Sequence, residues 1–420
     1  MPLLERRLAE RLQQSPDQLR AQVLAALGRR LRLAARVPGH HIPRGGDPLA
    51  TLAGLPLMDR DDLAEPSRWA DPWMPRGLLR SATSSGSSGR PLTVLRDPSS
   101  VLHEEAFLRR HLRAFGWTPG WPALTVRADG PRDPAGPVFE PDPNTPHTTR
   151  VAASRLDDRA SRAIVELGAQ RGLRLLRGYP SALLELADRI DALGLRDRVR
   201  RWPLGLVHVS SESLSPAAEA RLRDVFGAPV ADHYGQAERA LAIQSCPAGS
   251  RHLITDYGWG EVVAGRWVGT PLFGRGAVLL RYGTDDQAGL LDGGGVVADP
   301  GCDCGWPFPV VGRVLGRADD LVRTTDGRRI GRIGPAIGQS QGLEQVQIEQ
   351  NEIGRLIVRV VVRSPHGAEA VQALERSLCA LLADPGTTLE LRVGERPVPG
   401  ASGKVRAVLS TLPRDPDQLV

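Results

Sequence analysis

Lys404 is the only lysine in a chain of 420 residues that carries 54 lysines and arginines. It lies in Gly400-Ala401-Ser402-Gly403-Lys404-Val405-Arg406. Lysine presents a compact point charge on a flexible stem, where arginine presents a planar fork. Such a charge suits a site where negative charge shifts between oxygens during a reaction. The plain alternative is a surface lysine left over in an arginine-rich chain. Four further stretches carry residue types that can act on a nucleotide. Thr83-Ser84-Ser85-Gly86-Ser87-Ser88-Gly89-Arg90-Pro91 is a run of small and hydroxyl residues. Its backbone N–H groups and hydroxyls can wrap a phosphate closely. It is not a Walker loop, because no Gly-Lys-Ser/Thr follows and the next segment reads as a strand. A flexible linker is the alternative, though the run stops at Arg90-Pro91 between two ordered-looking segments.

The second stretch is His233-Tyr234-Gly235-Gln236-Ala237-Glu238. It follows a predicted strand, and strand ends of α/β sheets are where ligands bind. A tyrosine there can stack on a flat base, and a glutamate can hold Mg²⁺ on phosphates. Arg281-Tyr282-Gly283-Thr284-Asp285-Asp286 runs a strand into paired acids suited to a ribose diol. Gly316-Arg317-Ala318-Asp319-Asp320 falls where the chain changes character. A separate set is Cys246, His252, Cys302 and Cys304. Three thiolates and one imidazole are the ligand set of a closed structural zinc site, and both halves sit in Gly/Pro turns. The Cys-x-Cys spacing is tighter than usual, and the reading requires the intervening β region to bring the halves together. Unpaired thiols beside a surface histidine are the alternative. His40, His41 and His147 read as solvated loop residues. His103, on the helix after the Ser/Gly loop, is a candidate for an acid pocket, and His208 faces either the nucleotide or the sheet surface.

These residues need elements to position them. Leu and Ala recur at helical spacing over 3–36, and 99–115 also reads as a helix. Residues 50–80 read as short broken helices and 92–95 as a strand. Residues 128–150, rich in Pro and Asp, read as a surface loop. From 155 the pattern alternates: helix 157–170, strand 174–176, helix 180–193, strand 204–209, helix 216–226 and strand 229–232. Ser215-Pro216 starts the last of these helices with a cap and a first-turn proline. This alternation means α/β layers. Strands at 259–263, 278–282, 296–298 and 310–311 form a β-rich subregion. Beyond 316, strands at 346–348, 356–362 and 389–393 flank an amphipathic helix at 367–384, with Cys379 expected in its core. The fold class is therefore α/β: a large N-terminal α/β domain over 1–316 with a β-rich subregion, and a small C-terminal α+β domain over 317–420.

Length supports two domains, and 41% apolar residues suffice for a sizeable core. The net charge of +6 is spread as arginine along the chain and belongs to its whole-chain bias, so no nucleic acid is expected as a partner. The charged start argues against a signal peptide. The apolar run at 378–383 is far short of a membrane span, so no membrane partner and a cytoplasmic location are expected.

Taken in order, Ser/Thr-Ser-Gly-x-x-Gly-x-Pro, Tyr-Gly-x-x-Glu, Arg-Tyr-x-Thr-x-Asp, Gly-Arg-x-Asp-Asp and Gly-Lys resemble the adenylate-forming superfamily. The phenylacetate–coenzyme A ligase-like branch is the nearest in pattern. Gly178-Tyr179-Pro180-Ser181 and Ser210-Ser211-Glu212-Ser213-Leu214 are similar to that branch, and the resemblance runs over about 80–420. It implies that Thr83, Ser84, Ser85, Gly86, Ser87, Ser88, Gly89 and Arg90 cradle the phosphates of ATP. Tyr234 would lie against adenine, within His233-Tyr234-Gly235-Gln236, with Ser211 and Glu212 lining that side. Glu238 would hold Mg²⁺, Asp286 the ribose hydroxyls, and Arg317 would lie near the ribose and phosphates. Asp319 would be the hinge of a rotating small domain, and Lys404 would reach the α-phosphate. The implied reaction is in-line attack of a carboxylate on that phosphorus, a matter of positioning and charge neutralisation. Catalytic weight would rest on Lys404, Glu238 and Arg317.

The pattern departs from the family at several points. Ser87-Ser88 and Arg90 stand where threonines and lysine are common, and Asp285 where glycine is common, leaving Asp285 or Asp286 as the ribose ligand. Residues 324–331 only partly match the glycine loop that helps bind an acceptor. The expected enzyme is thus an ATP-dependent ligase acting on a small or aromatic carboxylic acid, with coenzyme A, another thiol or an amine as acceptor. An amide synthetase or carrier-protein loader is the first alternative. A non-catalytic nucleotide-binding regulator is the second.

Overall fold

The computed structural model describes residues 1–43, 45–84, 92–127, 136–291, 295–298, 301–317, 322–327, 329–330, 343–362, 367–399 and 405–412, with backbone alone at 83, 84, 316, 317, 329 and 330. The chain is mixed α/β, with sheet-rich N-terminal parts and a C-terminal α+β segment. Contacts gather it into two compact units. One joins Met1–Thr118 to Ala231–Val314, and the other joins Pro119–Val230 to Leu315–Val420. This partition differs from a cut at 316.

In the first unit, the predicted helix over 3–36 is two helices, Pro2–Arg11 and Pro16–Ala34. Ser15 makes the break. Its hydroxyl accepts from Gln18 N at 3.2 Å, and the Gln18 side chain accepts from Ser15 N at 3.1 Å, a reciprocal cap followed by Pro16. Strands Arg80–Ser84 and Leu92–Arg96 form an antiparallel hairpin with Ser84 opposite Leu92. Thr83 and Ser84 therefore belong to a strand, and residues 85–91 connect its two arms. Helix Pro98–Ala114 follows, capped by Asp97. The other Asp97 oxygen accepts from Arg275 N at 2.7 Å and Gly276 N at 2.9 Å. Burial opposes ionisation of this carboxyl, but those N–H groups and that of Ser100 hold it below its usual range.

The β-rich part has two components. Gly258–Val263, Arg266–Pro271 and Tyr282–Ala288 pair antiparallel. Val297–Ala298, Val310–Val311, Arg251–Leu253, Ile243–Ser245 and the end of Val230–Tyr234 also pair antiparallel, in that order. The strand predicted at 278–282 begins instead at Tyr282. Val278, Leu279 and Leu280 are buried, but their backbone partners lie outside any ladder: Val278 N donates to Trp69 O, and Leu280 N to Met58 Sδ.

In the second unit, Leu206–Ser210, Leu175–Gly178, Ala123–Arg127 and Thr148–Ala152 run parallel in that order, with Glu140–Pro141 antiparallel at the edge. The surface loop predicted over 128–150 thus contains two strands. Helices Asp158–Arg171, Pro180–Ala192 and Pro216–Phe226 pack on this sheet around a core that includes Ile164, Leu183, Leu186 and Leu222. Buried neighbours on both faces explain the near-continuous apolar strands. The C-terminal segment has its own sheet, ordered Thr388–Val393, Arg355–Val362, Leu343–Glu352, Val408–Ser410. Helix Gly367–Leu382 buries Ala370, Leu374, Leu378 and Leu382 against it. Cys379 is exposed, not core: it follows Leu378 by one position, about 100° round the helix.

Candidate functional site

The first unit gathers most of the described nucleotide motif. Tyr234 ends strand Val230–Tyr234, and its hydroxyl donates to Asp286 Oδ2 at 2.6 Å. Burial and the adjacent Asp286 charge push the Tyr234 phenol well above its ordinary range, so it stays a donor. The two acids differ in environment. Asp286 meets Tyr234, whereas Asp285, at φ +61°, pairs with Arg266 at 3.6 Å. Around Tyr234, His233 Nδ1 lies 3.3 Å from Gln244 Nε2, and the Gln236 side chain accepts from Leu241 N at 3.4 Å. A Cβ at Gly235 would come within 3.0 Å of the His233 ring, so a small residue suits that turn.

Glu238 accepts the Tyr282 hydroxyl at 2.9 Å on one carboxylate oxygen. Its other oxygen has no hydrogen bond among the described residues. Burial first, then the Glu238 charge, pushes the Tyr282 phenol up. Glu238 lines a cavity of about 20 Å³ with Arg96, Ser100, Arg239 and Phe273. That is room for about one water molecule. Arg96 donates to Ala237 O at 3.0 Å, and Arg239 reaches Ser100 Oγ at 3.3 Å and Glu104 at 3.4 Å. Burial, then repulsion from Arg239, lowers the Arg96 pKa. A carboxylate with one oxygen uncommitted, beside two guanidiniums, has the donor chemistry for a divalent cation on an anionic ligand. Arg96 and Glu104 belong to no motif in the sequence and packing brings them here, whereas Arg239 directly follows Glu238. His103, a candidate for an acid pocket, stacks on Phe273 at 5.1 Å.

In the second unit, His208 is buried in its strand, and Ser211 has φ +75° in the turn after Leu206–Ser210. Glu212 follows. It accepts Ser181 N and Ser181 Oγ at 3.0 Å each, and Val405 N at 2.7 Å. Arg317 ends strand Val314–Arg317 and is described by its backbone alone, as are Thr83 and Ser84. Ser85, Gly86, Ser87, Ser88, Gly89, Arg90, Asp319 and Lys404 lie outside the described residues.

The cysteine–histidine set does converge. The ligand atoms of Cys246, His252, Cys302 and Cys304 all lie within 4.8 Å of one another. The Sγ atoms of Cys246 and Cys302 are 3.6 Å apart, and Cys304 Sγ is 3.3 Å from His252 Nε2. Tetrahedral zinc with bonds of about 2.3 Å to sulfur and about 2.0 Å to nitrogen separates its ligands by about 3.5–3.8 Å. His252 Nδ1 lies 2.9 Å from Phe308 O, and donation there turns Nε2 to the thiols as an acceptor. The halves meet because strands Arg251–Leu253 and Val310–Val311 pair, placing the 302–304 turn beside the 246–250 turn. Gly249 at φ +90° and Gly305 at φ +73° allow those turns.

No protein-family model matches the chain, and no curated protein matches it. Its structure is similar to that of 2-hydroxyisobutyryl-CoA ligase in the postadenylation state in complex with R3-HIB-AMP. The TM-score is 0.66 at 17% identity, over 97% of this chain and 92% of that one. An open conformation of the same ligase with 2-HIB-AMP and CoA gives 0.57 at 17% identity, over 95% and 93%. Its thioesterification state gives 0.54 at 18% identity, over 93% and 90%. The likeness extends beyond residues 80–420 to nearly the whole chain, which has the fold of the adenylate-forming ligases.

Proposed function

We propose that this chain is an ATP-dependent ligase that activates a carboxylic acid as its acyl-adenylate and passes the acyl group to a thiol such as coenzyme A. The observation that carries the reading is the joining of Tyr234 to Asp286 and of Glu238 to Tyr282, four motif residues of one unit. Two of the similar structures are complexes of 2-hydroxyisobutyryl-CoA ligase with 2-HIB-AMP and CoA, which supports both half-reactions. Tyr234 would lie against adenine, and Asp286, which the Tyr234 hydroxyl touches, would take the ribose, whereas Asp285 faces Arg266. The 83–90 loop would hold the phosphates, with Arg317 near the ribose. Glu238 would hold Mg²⁺, which when bound neutralises phosphate charge. Lys404 would place its ammonium on the α-phosphate as the carboxylate–phosphorus bond forms and pyrophosphate leaves. Residues 317–420 would turn about Asp319 between half-reactions.

Acid-dependent ATP–pyrophosphate exchange across a carboxylate panel tests this reading. Exchange should appear with at least one small or aromatic acid, and Lys404→Ala should lower it by at least about tenfold. Absence of exchange with every acid of the panel would favour the non-catalytic regulator. A panel of thiols and amines, read by mass spectrometry of the product, separates coenzyme A from amide formation.

We also propose that Cys246, His252, Cys302 and Cys304 hold a structural zinc ion. Elemental analysis should find about one zinc per chain. Cys302→Ser should lower both zinc content and thermal stability, and full stability without zinc would remove the proposal.

A further inference from the structure

Two polar side chains from different parts of the second unit bond the described residues on either side of the stretch 400–404, in which Lys404 falls. Pro399 and Val405 form an isolated antiparallel bridge, joining the two ends of the stretch 400–404. Gln347, fully buried in strand Leu343–Glu352, accepts from Val398 N at 2.7 Å and donates to Val398 O and Arg406 O at 3.0 Å each. These bonds stay within the C-terminal segment. The second anchor comes from residues 119–230: Glu212 Oε1 accepts from Val405 N at 2.7 Å, and Val405 directly follows Lys404 in sequence.

Glu212 is itself held. Its two oxygens accept from Ser181 Oγ and from Ser181 N, at the first turn of helix Pro180–Ala192, where a carboxylate is favoured by unpaired N–H groups and the helix dipole. The same carboxylate therefore caps a fixed helix and grips the backbone next to Lys404. Other bonds join the same two segments: Ser215 Oγ reaches Leu343 O and Glu344 O, and Arg396 pairs with Asp188. None of these lies beside the lysine.

We propose that Glu212 is a positioning residue for the first half-reaction: it docks the lysine-bearing loop through Val405 N–H and lets go when the C-terminal segment moves for acyl transfer. This rests on the ligase reading above and assigns Glu212 a task other than lining adenine. A charge-assisted bond to one backbone N–H contributes roughly a factor of ten or more in population.

The test uses the full chain and three variants. Amide hydrogen exchange should show Val405 protected in the native protein, with protection lost at least about tenfold in Glu212→Ala. It should be largely kept in Glu212→Gln, whose amide oxygen still accepts. In Glu212→Ala, kcat for ATP–pyrophosphate exchange should fall about tenfold or more with KM for ATP little changed. Acyl transfer from supplied acyl-adenylate to the acceptor should be unaffected. Ser181→Ala removes one bond to Glu212 but leaves Val405 N–H its partner, so exchange kinetics should stay native. Three results would overturn the proposal: equal Val405 exchange in native protein and Glu212→Ala, a rise in KM for ATP in place of the kcat loss, or a matching defect in Ser181→Ala. If no acid supports exchange in the native protein, the ligase reading fails, while the Val405 amide still decides whether the docking exists.

Discussion

Two loops in this chain each follow a strand and each present a glutamate, and the two glutamates are held in opposite ways. Glu238, beyond strand Val230–Tyr234, has one oxygen on Tyr282 and the other uncommitted among the described residues. Glu212, beyond strand Leu206–Ser210, accepts three protein donors. An acid kept for a ligand needs an oxygen that the fold leaves unspent. An acid whose lone pairs are spent on backbone and hydroxyl donors holds structure together, and removing it leaves those donors exposed or unpaired. Residue type and the position after a strand are common to both; the count of committed lone pairs separates them.

This contrast can be broken by substitution. Glu238→Gln should have the largest effect, about a hundredfold or more loss of ATP–pyrophosphate exchange, since it would remove the charge proposed to hold Mg²⁺ while keeping the Tyr282 bond. Loss of less than fivefold would place Glu238 with Glu212 among structural acids. Next come the paired acids. Asp286→Asn should raise KM for ATP by about tenfold, a change of about 1.4 kcal/mol, whereas Asp285→Asn should move it less than about threefold. Steady-state kinetics on both variants decides, and the reverse ranking would make Asp285 the ribose ligand. The smallest effect is expected for Ser181→Ala, which removes one hydroxyl from Glu212. Chemical denaturation should register a loss of about 1 kcal/mol with exchange activity intact.

Much of the α/β pattern was legible because its signals are local. Ser215-Pro216 announces a helix, and the structure begins one at Pro216 with the Ser215 hydroxyl capping Ala218 N. Leu374 and Leu378 mark the buried face of helix Gly367–Leu382 by spacing alone. The misreadings also have a physical cause. The apolar run 278–280 resembles a strand, but its backbone bonds go to Trp69 and Met58, partners far away in sequence. Pro- and Asp-rich composition hid the strand Thr148–Ala152, whose place in the sheet depends on pairing with Ala123–Arg127. Cys379 shares a helix with core leucines but points to solvent, since one residue turns the face by about 100°.

The sequence by itself determined which groups are available for chemistry: the lone Lys404, the Tyr234–Glu238 and Tyr282–Asp286 stretches, and a three-cysteine, one-histidine set with zinc chemistry. Ordered motifs and local periodicity carry that much because they depend on neighbours along the chain. Only the tertiary structure decided how each group is spent. It set Asp286 on Tyr234 and Asp285 on Arg266, brought Cys302 to within 3.6 Å of Cys246, and tied Glu212 to Val405 across almost two hundred residues of chain. A hydrogen bond or ion pair depends on distances of a few ångströms between segments remote in sequence. Those distances follow from strand pairing and core packing, which no single stretch of the sequence encodes.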